Sequence, residues 1–520
     1  MTRSSVTRER NESVWQATVP PRDFPRLEQN AATDVCVIGA GIAGLSTAYL
    51  LARSGKSVVV LDDGPVAGGM TGVTTAHLTH VIDDRYFQIE RLHGRDGARL
   101  AAESHTAAIE RIEAIVIGEG ISCDFERVDG WLFLGSGQNP EILEQELEAV
   151  HRAGITRAER AAHLPVSGFA AGPCLRFPAQ AQFHPLKYTD GLTRAIERDG
   201  GRIFTRSHAD KVEGGRPARV KVGPWEVTAE AVVVATNTPV NDLVAIHTKQ
   251  HPYLTYAIGL RIGRGVVPPA LYWDTEDPYH YIRLQRVDAN ESPGYPNGHE
   301  LLIVGGEDHR TGQAEDTEER HGRLEAWARE RFPGLGEVEF NWAGQVMETV
   351  DRLAFIGRNP LDHDNVFVVT GDCGTGMTHG TIAGMVLSDL ILGRENPWVT
   401  LYDPSRKTLR AAGDFARETL NMAAQYADWL TGGDVDSVDQ IAPDSGAVVR
   451  RGLTKLAVYR DPEGALHYLS AVCAHLGCIV HWNPAERTWD CPCHGSRYDK
   501  LGDVINGPAN KHLTRIENPT

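Results

Sequence analysis

Residues 34–62 read Asp34-Val-Cys-Val-Ile-Gly39-Ala-Gly41-Ile-Ala-Gly44-Leu-Ser-Thr-Ala-Tyr-Leu-Leu-Ala-Arg-Ser-Gly55-Lys-Ser-Val-Val-Val-Leu61-Asp62. The first apolar run is a short strand, and Gly39-Ala-Gly41-Ile-Ala-Gly44 opens a helix that Gly55 stops. Ser57-Val-Val-Val-Leu61 is a second strand, closed by Asp62. Strand, glycine turn, helix, strand and terminal acid in this order form a complete dinucleotide-binding unit. Gly39 permits the turn, Gly41 lets backbone approach a pyrophosphate, and Gly44 lets helix pack on strand. Ile42 and Ala43 lie in the first helical turn, whose free N–H groups face the phosphates. Asp62 is placed to accept hydrogen bonds from a ribose. The fold expected here is α/β: a Rossmann-like FAD/NAD(P)-binding domain on a parallel sheet.

The other end of the chain carries different chemistry. It holds Cys473-Ala-His475-Leu-Gly-Cys478 and then Cys491-Pro-Cys493-His494-Gly-Ser496. A Rieske [2Fe–2S] cluster needs two thiolates on one iron and two imidazoles on the other. Cys473 and Cys491 are the thiolate candidates, and His475 and His494 the imidazole candidates. Cys478 and Cys493 are left over, one in each block. Zinc is the competing reading, because Cys and His at such spacings also bind it. The two blocks, followed by Arg497 and Tyr498, closely resemble the cytochrome-bc type of Rieske protein. That resemblance implies a Cys478–Cys493 disulfide tying the cluster loops together. It also implies hydrogen bonds from Ser496 and Tyr498 to the cluster sulfurs. Such donors favour the extra electron, which implies a high-potential cluster. Gly507-Pro508-Ala509 resembles the family's proline loop, with Asn510 in place of its usual second proline.

Between these ends a second resemblance accumulates. Gly68-Gly69-Met-Thr71-Gly-Val-Thr74-Thr75 follows Asp62, and Phe183-His184-Pro185-Leu-Lys-Tyr188 precedes a helix. Asp210-Lys-Val212, Val232-Val-Val-Ala235-Thr236-Asn237, Trp342-Ala-Gly344, Asp351 and Phe355-Ile-Gly357 come next. Last is Val366-Phe-Val-Val-Thr370-Gly371-Asp-Cys373-Gly374-Thr-Gly376-Met377-Thr378, a strand, glycine-rich turn and helix. In content and order, roughly residues 30–395 resemble the D-amino-acid-oxidase-like (DAO) flavoprotein oxidoreductases. The resemblance implies FAD, with Gly68, Gly69, Thr74 and Thr75 beside it and Val212 contacting the adenine through its backbone. Ala235 and Thr236 belong to a cofactor-binding turn, where Asn237 stands in place of the family's glycine. The turn carrying Gly371, Gly374, Gly376, Met377 and Thr378 approaches the flavin ring and ribityl chain in that family. Some relatives attach flavin covalently through a histidine in a similar hydroxyl-rich stretch, which makes His77 a candidate contact. No second complete glycine-turn unit for a nicotinamide follows.

Composition narrows the partners. The chain has 520 residues and a formal net charge of −17, which makes nucleic acid an improbable partner and a basic electron acceptor a plausible one. No apolar run approaches the length of a membrane span. The charged N-terminus lacks a following apolar stretch, so it does not read as a secretory signal, and a cytoplasmic location is the default expectation. Cys36, Cys123, Cys174 and Cys373 have no metal-like spacing and read as reduced core or loop thiols.

The expected organisation is an N-terminal arm (1–30), an FAD-dependent oxidoreductase domain (31–400), a helical linker (401–433) and a small all-β Rieske domain (434–520). The FAD-binding pieces fall at about 31–80, 200–240 and 345–400, and the inserted segments build an antiparallel-sheet substrate domain. Within it, Tyr281 and Arg283 alternate to one face, where the guanidinium could clamp a carboxylate. An interdomain salt bridge is the plainer reading of Arg283. His379 follows the flavin turn and is either near the ring or a helix cap.

The superfamily's usual reaction implies oxidation of a C–N bond in a small amine or amino acid. Electrons would then pass singly through the cluster to an external acceptor, for which a redox protein has the fitting chemistry. The alternatives are a reductase linking a pyridine nucleotide to a redox partner, and a non-catalytic relay or redox sensor. A Rieske oxygenase would need two histidines and a carboxylate on one iron. Asp242, His247 and His251 offer those residue types at a spacing unlike that family's.

Overall fold

The computed structural model describes residues 12–169, 171–240, 246–287 and 298–517. Its first sheet grows from the glycine-turn unit. Ala31–Ile38 pairs in parallel with Val58–Leu61 on one side and Trp225–Val234 on the other. Arg202–Phe204 and Val366–Thr370 extend it in parallel, and Phe355–Arg358 closes one edge antiparallel. Alternate side chains serve two cores: Val35, Val37, Val58 and Val60 face one, and Cys36, Ile38, Val59 and Leu61 the other. A strand buried on both faces must be apolar throughout, which is why Val58–Leu61 contains nothing else.

Helices Ile42–Arg53 and Gly376–Leu392 cover one face at close range. A Cβ at Gly380 would lie 2.7 Å from Ile42 Cγ2, and one at Gly384 would lie 2.7 Å from Ser46 Cβ. The carboxyl ends of three parallel strands therefore meet at Gly39, Ala235 and Gly371.

The inserted segments form a nine-stranded sheet. Its backbone is Val338–Thr349, Gln250–Ile262, His299–Arg310 and Tyr281–Val287, paired antiparallel in that order. Ala270–Asp274 then joins Glu126–Phe133 in parallel, so the sheet is mixed. This sheet stands over the carboxyl ends of the first one and forms the other wall of the space between them.

The N-terminal arm is a structural part. Trp15, in the helix Val14–Thr18, is fully buried and donates its Nε1–H to Thr74 O at 2.6 Å. At the other end, Ala412–Gln425 is a helix with no buried residue, leading to two small antiparallel sheets of three and four strands.

Asp351 anchors the start of that connection. Arg406 donates to Asp351 Oδ2 at 2.8 Å and to Oδ1 at 2.6 Å, and Thr408 Oγ1 donates to Oδ2 at 2.6 Å. These partners outweigh burial and hold the Asp351 carboxyl well below the usual carboxylate range. Removing one member of a buried ion pair costs about 3 kcal/mol or more. Arg406→Ala is therefore expected to lose about 3 kcal/mol in urea unfolding of the holoprotein. Because the native pKa is depressed, the stabilisation is full above the ordinary carboxylate range and is lost progressively as pH falls from that range to the depressed native pKa below it.

Candidate functional site

A cavity of about 1500 Å³ runs along the carboxyl ends of the parallel strands. Gly39, Gly41, Ile42, Ala43 and Asp62 line it from the first unit, and Gly68, Gly69, Thr74, Thr75 and His77 from the loop that follows. Ala235 and Thr236 line it from the central strand end, and Gly371, Gly374, Gly376, Met377 and His379 from the last turn. Backbone segments meet here too closely for side chains. A Cβ at Gly39, whose φ is +102°, would lie 2.3 Å from Ala235 O, and one at Gly44 would lie 1.9 Å from Gly39 O. Asn237 has φ 63°, in the left-handed region that asparagine tolerates better than most residues, which accounts for its standing where the family has glycine.

Asp62 tests whether a nucleotide fits. Its Oδ2 accepts from Ala40 N at 2.6 Å and its Oδ1 from Gly64 N at 2.8 Å. Burial nonetheless pushes its carboxyl up to about 7. A carboxylate short of donors at the cavity wall suits the hydroxyls of a ribose.

Several expected contacts lie elsewhere. Gly44 is a packing residue behind the lining, Val212 belongs to the edge hairpin, and Thr378 Oγ1 bonds His105 Nδ1 at 3.0 Å; none of the three lines the cavity. Tyr281 does line it, with its hydroxyl 2.6 Å from Thr255 Oγ1. Arg283, two residues on, does not. Its guanidinium is buried against Ala76 O at 2.9 Å and Phe183 O at 3.0 Å, and lies 5.2 Å from the Trp15 ring. Alternation sets the face but not the depth. The arm and the Thr75–Ala76 loop close over this position. His379 Nδ1 is held by Asp372 O at 2.8 Å and Thr375 Oγ1 at 2.9 Å, and burial pulls the ring down to about 4, so it is neutral. His77 has Thr75 Oγ1 at 3.1 Å from Nδ1 and Ile282 O at 3.3 Å from Nε2.

The second centre is built from two loops with matching hydrogen bonds. Gly477 N donates to Cys473 O, and Gly495 N to Cys491 O, each at 3.1 Å. A disulfide joins Cys478 to Cys493. Cys473 and Cys491 stay free, buried and in contact. The Cys491 thiol and the Tyr498 hydroxyl pull the Cys473 thiol down, while that proximity pushes Cys491 up. The rings of His475 and His494 are 4.9 Å apart, and His475 Nδ1 and His494 Nε2 are buried with no hydrogen-bond partner. Two thiols and two imidazoles with an open ring nitrogen each converge, which is the donor set of a Rieske cluster. Tyr498 OH lies 3.2 Å from Cys473 Sγ, and Ser496 Oγ accepts from Ala509 N at 3.0 Å.

The two centres share a wall. Gln345 lines the large cavity and donates from Nε2 to Gly495 O at 2.8 Å, one residue from His494. A Cβ at Gly495, whose φ is +78°, would lie 2.3 Å from Pro252 Cβ. Asn510 Nδ2 donates to Asp210 O at 3.1 Å. His247 sets its ring centroid 4.9 Å from that of His475 and 6.0 Å from that of His494. His251 lies with Nδ1 3.6 Å from Glu418 Oε2, and Asp242 lies outside the described residues. The described pair thus serves the junction between modules. Gln345 and the acidic residues Asp83 and Asp84 escape sequence reading, because no motif surrounds them.

Residues 34–390 match the FAD dependent oxidoreductase (DAO) family, and residues 432–517 match the Rieske [2Fe-2S] domain. A Bacillus subtilis (strain 168) protein named as a Rieske 2Fe-2S iron-sulfur protein, YhfW, is 31% identical over 523 residues, covering 99% of this chain and 100% of its own length. Gamma-glutamylputrescine oxidoreductase of Escherichia coli (strain K12) is 27% identical over 384 residues, covering 71% of this chain and 86% of its own. Glycine oxidase from Geobacillus kaustophilus shares the fold, with a TM-score of 0.58 at 14% identity over 73% of this chain and 100% of that one. The chain belongs to the FAD dependent oxidoreductase family and carries a C-terminal Rieske domain. The front domain binds FAD and the C-terminal domain binds a [2Fe–2S] cluster.

Tyr498→Phe removes a hydroxyl beside Cys473. A hydrogen bond worth about 1 kcal/mol more to the reduced state corresponds to about 40 mV for a one-electron couple. The cluster potential of this variant, read by spectroelectrochemistry, is expected to fall by about that amount.

Proposed function

We propose that this oxidoreductase is a dehydrogenase acting on a C–N bond of a small amine or amino-acid-like substrate, with the cluster delivering its electrons singly to an external one-electron acceptor. The observation that carries this reading is the shared wall: Gln345 belongs to the FAD cavity and holds the cluster loop at Gly495. When bound, FAD accepts two electrons at once and the cluster carries one at a time. The substrate loses a hydride from carbon and a proton from nitrogen, a C=N bond forms, and water hydrolyses the product to a carbonyl compound and an amine or ammonia. Tyr279, Tyr281 and Trp342 wall the reacting space. Asp83 Oδ2 accepts from Tyr279 OH at 2.6 Å and fixes that ring. Gln345 holds the Gly495 loop against the front domain, and His247 packs beside both His475 and His494. His475 keeps partial exposure beside the exposed Leu476, and this edge is where an acceptor reaches the cluster. The relationship to gamma-glutamylputrescine oxidoreductase supports an amine-type substrate.

The test is an anaerobic visible and EPR titration of the holoprotein with an amine and amino-acid panel, then with NADH. Flavin bleaching followed by cluster reduction on addition of one amine or amino acid is expected. Rapid reduction by NADH alone would replace this reading with a pyridine-nucleotide reductase. Silence toward every compound would leave a relay or sensor. In stopped flow, Gln345→Leu is expected to slow cluster reduction severalfold more than flavin bleaching, since it removes the hydrogen bond to the cluster loop.

A further inference from the structure

Above the turn that carries Gly374, the cavity is acidic. A Cβ at Gly374 would lie 2.0 Å from Asp83 Oδ2 and 3.3 Å from Tyr279 OH, so these groups sit directly over the turn. Asp84, Asp308 and Glu348 line the same region. Two arginines line this region and both are engaged, while Arg320 acts on Asp308 from behind the lining with its donors on Asp316 and Glu307 O. Arg352 lies 3.0 Å from Asp84 Oδ1 and 3.1 Å from Glu348 Oε2. Arg85 spends its donors on Asp83 O at 2.6 Å and Asp274 O at 2.8 Å. Asp308 Oδ1 is buried and has no hydrogen-bond partner. The Tyr279 and Tyr281 rings stand beside the acids, with centroids 5.5 Å apart.

This arrangement lacks what a carboxylate would need. Among the described residues no lysine lines the cavity, Arg283 lies behind it, and the lining arginines of this region, Arg85 and Arg352, are spent on Asp83 O, Asp274 O, Asp84 and Glu348. It has what a polycation needs: four carboxyls against two lining arginines, one unpartnered oxygen and aromatic faces suited to ammonium groups. We propose that the cavity selects an amine bearing a second positive charge, a diamine or polyamine, with Asp308 and Glu348 holding the distal ammonium while the proximal amine lies at the Gly374 turn. Burial supports the assignment, because it pushes Asp83 up to about 7 and Asp308 up to about 6, the mark of carboxyls short of cations. The inference rests on the dehydrogenase reading for the bond oxidised, but its charge preference is measurable without turnover.

The probes are 1,4-diaminobutane, n-butylamine, 4-aminobutanoate and glycine, added anaerobically to the oxidised holoprotein. Binding is read from calorimetry and the flavin absorbance shift, and oxidation from bleaching. The diamine is expected to bind at least tenfold tighter than butylamine, and 4-aminobutanoate weaker than either. Asp308→Asn and Glu348→Gln, each checked for full flavin content, are expected to weaken the diamine about tenfold and butylamine little. Equal affinity for diamine and butylamine, or tighter binding of glycine or 4-aminobutanoate, would overturn the inference. Diamine binding that meets these expectations without bleaching would uphold the charge preference and remove the dehydrogenase reading instead.

Discussion

A missing side chain at Gly495 holds this molecule together as one electron-transfer unit. The cluster loop approaches Pro252 and Gln345 so closely that a single Cβ at Gly495 would collide with both, at 2.3 and 2.6 Å. That contact sets the depth to which the Rieske module seats on the oxidoreductase module. The Gln345 amide then fixes its orientation through Gly495 O. The neighbouring His494 is buried as a result, while His475 remains at the edge. The helix Ala412–Gln425 has no fully buried residue, yet it adds to the junction through Glu418, which pairs with Arg310 and His251, and through Met422 against the Rieske core.

The front domain obeys a similar rule at its own scale. Gly39, Gly44, Gly380 and Gly384 let strands and helices approach to distances that alanine would forbid. Close approach brings three strand ends to one point and leaves a groove along them. The mixed sheet then roofs that groove and brings its acids and tyrosines over the Gly374 turn. Cofactor cradle and substrate space are therefore two sides of one cavity, separated by chemistry and not by a wall.

What is legible in the sequence is what steric or coordination chemistry makes obligatory. The 34–62 unit is readable because Gly39 and Gly44 answer backbone contacts that no side chain survives. The cluster blocks are readable because iron dictates donor type and spacing, and the FAD and Rieske assignments follow. Arg283 shows the limit: period two predicts that it shares a face with Tyr281, yet the arm residue Trp15, more than 260 positions earlier by the numbering, helps bury it. Gln345 shows another, because its role exists only where two distant segments touch. The acid cluster draws Asp83, Asp308 and Glu348 from three separate elements, so no local pattern announces it.

The His247 ring against the cluster imidazoles has a kinetic meaning under the dehydrogenase reading. On that reading electrons enter from the Gln345 wall and an acceptor docks beside the exposed Leu476, so reductant and oxidant occupy separate mouths. Neither has to leave before the other arrives. Steady-state plots then stay parallel, as in a two-site ping-pong enzyme, but substrate and acceptor do not compete with one another as they would if they took turns at one flavin face.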